Sequence, residues 1–326
     1  MADIQHLRKM SGAGMMDCKK ALEEANGDQE KAMEIIRAKG QLLAAKRQDR
    51  DAAEGCVLAA TNEGFAAIVA VKCETDFVAQ NGDFVAMTKD ILNTALAQKP
   101  ANAEALLELS IDGASVKEVI VNRSGITGEK MELGAYEFVS GESVVAYIHP
   151  GNKLATIVAF NQPNVDAQVG KDVAMQIAAM SPVSVSREEV PAHLVEEEYR
   201  VAVEKTKEEQ IHKAVEAALK KAGINPNLVD SEDHISSNIA KGWLTQEEAD
   251  KARVVAKEAA EAKAANMPQA MIENIANGRV NKFYKESVLL EQEFVKDAKQ
   301  TIKQYLQSAS KDLTVTAFKR FTLNAE

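Results

Sequence analysis

The pattern of apolar and polar positions changes character several times along the chain. Residues 1–40 show helical spacing in three short segments, separated by "SGAG" and by Asn26-Gly27. Asp28 is expected to cap the third helix and Gly40 to end it, because glycine readily adopts the positive φ of a helix stop. The sequence therefore predicts a compact N-terminal helical bundle, followed by a polar connector.

Alternating patterns typical of β-strands begin after this bundle and occur twice. "GCVLAAT" and "FAAIVAVKC" flank Asn62-Glu63-Gly64, and "SVVAYIH" and "LATIVAF" flank Pro150-Gly151-Asn152, so each pair predicts a β-hairpin. A helical segment follows each hairpin, and Gly-x-x-Val-Ala-Met recurs in both, starting at Gly82 and at Gly170. Asp83 is expected to be the N-cap of the first of these helices. We interpret the recurrence as two related α+β subdomains.

From about residue 188 the chain becomes rich in Ala, Glu and Lys, with sparse apolar residues at helical spacing. Two charged helices joined by a segment of turn signals predict an antiparallel helical hairpin that projects from the body. A helix and an alternating strand end the chain. The predicted fold class is α+β, and the predicted domains are an N-terminal bundle and connector (1–54), core subdomain N (55–140), the first part of core subdomain C (141–187), the helical hairpin (188–265), and the remainder of core subdomain C with a C-terminal module (266–326).

Composition narrows the class of protein. The 326 residues are 46% hydrophobic and 27% charged, which is ordinary for a soluble globular protein. A net charge of -10 disfavours general binding of nucleic acid through phosphates. No apolar run approaches the length of a membrane span, and the first residues lack the apolar core of a signal peptide. With three scattered cysteines and no CxxC motif, we expect a cytoplasmic protein with free thiols.

Motifs for catalysis or nucleotide binding are missing from the sequence. "GITGEK" (125–130) resembles a P-loop, but its glycines are too close together and no strand precedes it. The five histidines are dispersed, without metal-ligand spacing. Cys73 could act as a nucleophile with a distant histidine, although a small apolar residue that closes a buried strand explains it more simply. We therefore expect a protein that is not an enzyme and needs neither cofactor nor metal.

Two surface-type features remain. Met15 and Met16 follow "SGAG", and neighbours on a helix point about 100° apart, so one is expected in the core and the other on the surface. Thr75-Asp76-Phe77 stands where a strand pattern gives way to a helical one, so Thr75 can cap the new turn and Asp76 suits its positive start. The local pattern favours Phe77 packed inward, and the alternative is an aromatic ring exposed on a corner.

Three stretches resemble one protein family. "LRKMSGAGMMDCKKALEEANGDQEKAMEIIRAKG", "CETDFVAQNGDF" and "IENIANGRVNKFYKESVLLEQEFVKD" are similar to bacterial translation elongation factor Ts, in the order and spacing of that family. The stretch of roughly 200–262 is longer than usual for the family, and Glu293 replaces an expected proline. The resemblance implies a ubiquitin-associated-like bundle, two repeated core subdomains, a coiled-coil protrusion and a C-terminal module.

The resemblance also implies a function. Factors of this family release GDP from the GTPase elongation factor Tu and hold no nucleotide themselves. The implied partner is that GTPase, with no direct binding to nucleic acid or membrane. The residues expected to contact it are Thr75, Asp76, Phe77 and Val78 near its magnesium and phosphate site, Arg8, Met15 and Met16 on the bundle, and His149 in core subdomain C. For His149, an ordinary exposed turn residue is the alternative.

A different class of function competes with this one. The bundle alone would also suit an adaptor that binds ubiquitin-like or other partners and oligomerises through its coiled coil. The Thr75-Asp76-Phe77 corner inside a duplicated core argues against that alternative.

Overall fold

A computed structural model describes residues 2–324 of the chain. It confirms the α+β class and divides the chain into two compact units, residues 1–185 with 292–326 and residues 186–291. No helix among the described residues is long and apolar enough to cross a membrane.

The N-terminal bundle consists of α1 (Ala2–Ser11), α2 (Met15–Glu24) and α3 (Gln29–Ala45). The Asp28 side chain caps α3 by accepting a hydrogen bond from the backbone N–H of Lys31, as expected. The prediction that Gly40 ends α3 is wrong, because the helix continues to Ala45. Gly40 is buried and lies against Gly125, so it serves close packing of two helices rather than a helix stop.

The first repeat forms a three-stranded antiparallel sheet with helices on one face. Its central strand β2 pairs with β1 and β5, and the two-residue turn Glu63-Gly64 joins β1 to β2 with both φ values positive. Its elements are β1 (Glu54–Asn62), β2 (Phe65–Cys73), α4 (Asp76–Ala79), α5 (Gly82–Gln98), α6 (Ala103–Glu108), β3 (Ser110–Ile111), β4 (Ala114–Ser115), α7 (Val116–Thr127) and β5 (Glu132–Ser140).

The second repeat begins with β6 (Ser143–Ile148), β7 (Leu154–Phe160) and α8 (Ala167–Met180). Like α5, α8 ends at a residue in the left-handed conformation, Ser181 for α8 and Lys99 for α5. Each of these helices also starts at a side chain that accepts two backbone N–H groups. That side chain is Asp166 for α8 and Asn81 for α5, so Asp83 is not the N-cap that the sequence predicted. Asn81 takes this position because α5 begins at Gly82, two residues before the start that a cap at Asp83 implies.

Residues 186–291 contain α9 (Ala192–Lys221), α10 (Glu232–Ala240), α11 (Gln246–Ala265) and α12 (Gln269–Ser287). The predicted pair of long charged helices is present as α9 and α11, which pack against each other. A short helix, α10, occupies the connecting segment, and α12 also packs along α9. Small apolar clusters around Leu219 and around Ile235 stabilise this unit from within.

The last elements are β8 (Glu293–Phe294), β9 (Asp297–Thr301), α13 (Ile302–Ala309) and β10 (Val315–Thr322). Strand β10 pairs with β7, which gives the second sheet the order β10-β7-β6. Glu293, at the position of the expected proline, starts β8, and its carbonyl oxygen accepts a hydrogen bond from the Gln176 side chain.

The two sheets share one apolar layer. Ile68 of the first sheet and Ile157 of the second are fully buried within it. A second cluster fills the space between the first sheet and its helices, with Phe84 and Ile91 of α5 fully buried. Burying such side chains stabilises the fold by about 1.5–3 kcal/mol each, so these two layers hold the strand ends in fixed positions.

Candidate functional site

The corner after β2 presents an exposed aromatic ring. Thr75 caps the single helical turn α4, since its Oγ1 accepts a hydrogen bond from the backbone N–H of Val78 at 3.4 Å. Ala79 is buried, and Phe77 stands two residues earlier, about 200° around the helix axis. The Phe77 side chain is therefore 85% exposed, so the inward packing favoured by the local pattern is wrong. Asp76 is exposed beside it, and Val78 packs partly against the core.

The corner is held from a loop more than fifty residues away in sequence. Glu129 accepts hydrogen bonds from the backbone N–H groups of Glu74 and Thr75, both at 3.1 Å, and from the Thr75 hydroxyl at 2.6 Å. In return, the Glu74 carboxylate accepts the backbone N–H of Lys130 at 2.6 Å. This bond is the main reason that the pKa of Glu74 lies below its ordinary value. The corner and the loop that carries Glu129 and Lys130 thus donate hydrogen bonds to each other.

Sequence reasoning missed this pair of glutamates. The segment "GITGEK", which contains Glu129, resembles only a phosphate-binding loop in its sequence. No local signal links Glu129 to the Thr75 corner, because the bonds span a separation of 54 residues.

The second hairpin turn lies at the same end of the core as the corner. Glu54 pairs with Cys73 in the strand register, and the Glu54 carboxylate forms an ion pair with Lys153 at 2.9 Å. Hydrogen bonding to Glu54 raises the pKa of Lys153, and the negative charge of Asp76 adds to this effect. Asn152, in the same turn, accepts the backbone N–H of Val57 at 2.7 Å. The structure thereby brings the turn after His149 close to the corner.

His149 is exposed at the start of this turn. The Tyr147 hydroxyl lies 3.0 Å from its Nδ1, and the two rings meet edge to face. This arrangement orients the imidazole on the surface, which fits both a contact residue and an ordinary turn residue.

The predicted contact residues of the bundle lie on other elements. Arg8 is exposed on α1, and Met15 and Met16 are 53% and 63% exposed on α2. The expectation that one methionine enters the core is wrong. Met15 lies on the same face of α2 as buried Cys18. It stands in the first turn of the helix, however, where a side chain points toward the helix N-terminus and so extends beyond the small core.

Cys73 has the environment of a structural residue. It is fully buried at the end of β2, and burial raises the pKa of its thiol to about 12. A thiol with this pKa stays protonated at neutral pH, and the thiolate is the nucleophilic form. This disfavours Cys73 as a catalytic nucleophile.

Comparison with known proteins identifies the family. A family model described as "Elongation factor TS" matches residues 74–221 and 209–325, starting at the corner itself. The chain belongs to the elongation factor Ts family. It is 57% identical to elongation factor Ts of Bacteroides fragilis over 327 residues, which cover 100% of this chain and 99% of the relative. It is 56% identical to that of Bacteroides thetaiotaomicron and 51% identical to that of Porphyromonas gingivalis.

Membership of the elongation factor Ts family makes the chain a factor of translation elongation with bacterial relatives. The Bacteroides relatives align along nearly their whole length, so the stretch of sequence that forms α9 to α11 in this chain has a counterpart in them.

Proposed function

We propose that this member of the elongation factor Ts family is a guanine-nucleotide exchange factor that binds elongation factor Tu in its GDP form and promotes release of GDP. The observation that carries the proposal is the 85% exposed Phe77 ring on a corner that Glu129 holds rigidly. A free aromatic ring contributes little to folding, whereas large aromatic side chains are preferred anchors at protein interfaces. The factor acts without catalysing a covalent reaction, in the cytoplasm, where translation takes place.

The corner presents an aromatic ring, Phe77, next to a carboxylate, Asp76. The Phe77 ring inserts beside the magnesium and phosphate site of the GTPase, and Asp76 brings a carboxylate next to it. Insertion displaces the groups that hold Mg²⁺ and phosphate, so the partner binds GDP less tightly. By linkage, GDP weakens binding of the factor to the same degree that the factor weakens binding of GDP. Exchange therefore passes through a nucleotide-free complex of the two proteins.

The other predicted contacts supply affinity. Met15 and Met16 place two flexible apolar side chains on the surface of α2, with Arg8 on α1. Thioether side chains adapt to irregular surfaces, so this part of the bundle is suited to bind the GTP-binding domain of the partner. His149 provides a further contact from core subdomain C.

The test is release of fluorescent GDP from elongation factor Tu at increasing concentrations of the factor. Phe77→Ala should lower the limiting release rate by at least tenfold while the complex still forms, because the bundle contacts remain. Asp76→Ala should have a milder effect. Trp243→Ala, which removes another exposed aromatic ring, serves as the matched control and should release GDP at the wild-type rate.

Two outcomes would contradict the proposal. If Phe77→Ala releases GDP as fast as wild type, the Phe77 ring does not act as a wedge. Binding to elongation factor Tu without faster release by the wild-type protein would favour the adaptor alternative.

A further inference from the structure

We propose that Glu129 is a positioning residue for exchange, which fixes the corner formed by Thr75, Asp76 and Phe77 in the orientation that enters the partner. This inference rests on the proposed function. Glu129 lies on the loop between α7 and β5, outside the corner, and is half-buried. Its carboxylate points at the backbone of Glu74 and Thr75.

The corner needs such an anchor because it has little packing of its own. The helix α4 is a single turn of four residues, and turns this short are unstable in isolation. Ala79 is its one buried residue and Val78 packs only partly against the core, so the turn has little apolar contact to set its direction. Since Phe77 is almost fully exposed, its ring contributes nothing to holding the backbone that carries it.

The hydrogen bonds of Glu129 act at the start of this turn. The Thr75 hydroxyl donates to Glu129 at 2.6 Å, and the same oxygen accepts the backbone N–H of Val78. By accepting this hydrogen bond, Glu129 orients the Thr75 hydroxyl so that a lone pair of its oxygen faces the backbone N–H of Val78. The carboxylate also accepts the two backbone N–H groups that precede the turn, so it determines the direction in which the chain leaves β2.

Glu129 is itself held in place. Its carbonyl oxygen accepts the Ser124 hydroxyl at 2.5 Å, and its N–H donates to the Thr127 hydroxyl at 3.3 Å. Both partners belong to α7, which packs against α3 and α5. The Glu129 side chain therefore connects the helix layer to the start of the corner, beside the bond from the Lys130 backbone N–H to Glu74.

The test compares Glu129→Ala with wild-type protein in the release of fluorescent GDP from elongation factor Tu. Three hydrogen bonds to a charged group are lost, so we expect the limiting release rate to fall about tenfold. The concentration of factor at half-maximal rate should change less than threefold, because the bundle contacts are unaltered. Glu132→Ala removes a nearby carboxylate that has no bond to the corner, and it should behave as wild type.

A double-mutant cycle separates positioning from general destabilisation. If Glu129 acts mainly through the ring of Phe77, the double variant Phe77→Ala/Glu129→Ala should release GDP at nearly the same rate as Phe77→Ala alone, because only the smaller contribution of Asp76 is left to lose. If the double variant shows the product of the two single-variant rate reductions, the inference is overturned. It is also overturned if Glu129→Ala releases GDP at the wild-type rate while Phe77→Ala is slow. A wild-type rate for Phe77→Ala would instead overturn the proposed function, and this inference with it.

If Glu129→Ala folds poorly, Glu129→Gln provides a second test. Its amide oxygen can still accept both backbone N–H groups, but the amide nitrogen no longer accepts the Thr75 hydroxyl. We expect a melting temperature close to wild type and a release rate between those of wild type and Glu129→Ala. A Gln variant with wild-type melting and wild-type release would show that the carboxylate does not position the corner.

Discussion

Gly40 and Gly125 meet where α3 crosses α7, so closely that a Cβ atom added to Gly125 would lie 2.2 Å from the Cα of Gly40. The reverse addition is mild, since a Cβ on Gly40 would lie 3.4 Å from the Cα of Gly125. The bundle is therefore docked on the first repeat through a backbone contact that only glycine at position 125 allows.

This contact predicts an asymmetry between two alanine variants. Gly125→Ala should force the helices apart and destabilise the protein by about 1–3 kcal/mol. Gly40→Ala should be near neutral. Gly278→Ala in α12, where a Cβ meets no atom within 4 Å, should stabilise the protein by about 0.5–1 kcal/mol and serves as the control. Thermal melts measure all three, and equal melting of wild type and Gly125→Ala would contradict the close contact.

The exposure of Phe77 predicts that its removal leaves folding intact. Phe77→Ala should melt within a few degrees of wild type, because the ring is 85% exposed and packs on little. Phe84→Ala, which removes a fully buried ring seven positions later, should cost roughly 3–5 kcal/mol. Denaturant unfolding of both variants makes the comparison. A strongly destabilised Phe77→Ala protein would mean that the ring is part of the core.

Asp172 predicts a pH-dependent contribution to stability. Burial alone would raise its pKa, but hydrogen bonds from Lys296, Tyr305 and Gln168 together hold the pKa below the ordinary value. A lowered carboxyl pKa stabilises the fold above the unfolded value of about 3.9, and the contribution is lost as the pH falls through the folded pKa.

The variant Asp172→Asn measures that contribution. It should lower the free energy of unfolding at pH 7 by about 1–3 kcal/mol, since it removes charge-assisted hydrogen bonds. The difference from wild type should shrink as the pH falls below about 4. A difference that stays constant from neutral to acid pH would show that the charge of Asp172 does not contribute.

The buried thiols predict slow chemical modification. Burial raises the pKa of Cys73 to about 12 and that of Cys56 to about 11. At pH 8 only on the order of one in ten thousand Cys73 thiols would be ionised, against about a quarter of ordinary thiols with a pKa near 8.5. Ellman's reagent should therefore react slowly with the native protein and rapidly with all three cysteines in denaturant. Rapid reaction of Cys73 in the native protein would contradict this prediction and would again allow Cys73 a role as a nucleophile.

The division into two units predicts that the larger one folds without the smaller. Replacing residues 186–291 with a short flexible linker should leave a cooperative thermal melt, because the clusters around Phe84 and around Ile157 consist of residues outside that range. An insoluble or molten product would show that residues 186–291 are needed for the core.

Elements that depend on near neighbours in the chain follow from the amino-acid sequence alone. The hairpin around Asn62-Glu63-Gly64, caps such as Asp28 and Thr75, and the recurrence of hairpin and helix are all predicted from short stretches, because periodicity and hydrogen bonds to the next turn are local. The structure shortens that turn to Glu63-Gly64, since Asn62 still belongs to β1. The family resemblance rested on stretches of the same kind.

How those elements meet depends on packing between segments that are distant in the chain. The local pattern predicts a helix stop at Gly40, because the residue that Gly40 contacts, Gly125, lies 85 positions away in sequence. The direction of Phe77 depends on which face of α4 packs inward, and the anchor at Glu129 depends on a loop brought to the corner by the sheet and α7. Close approach and orientation are properties of packing between distant segments, and no local pattern records them.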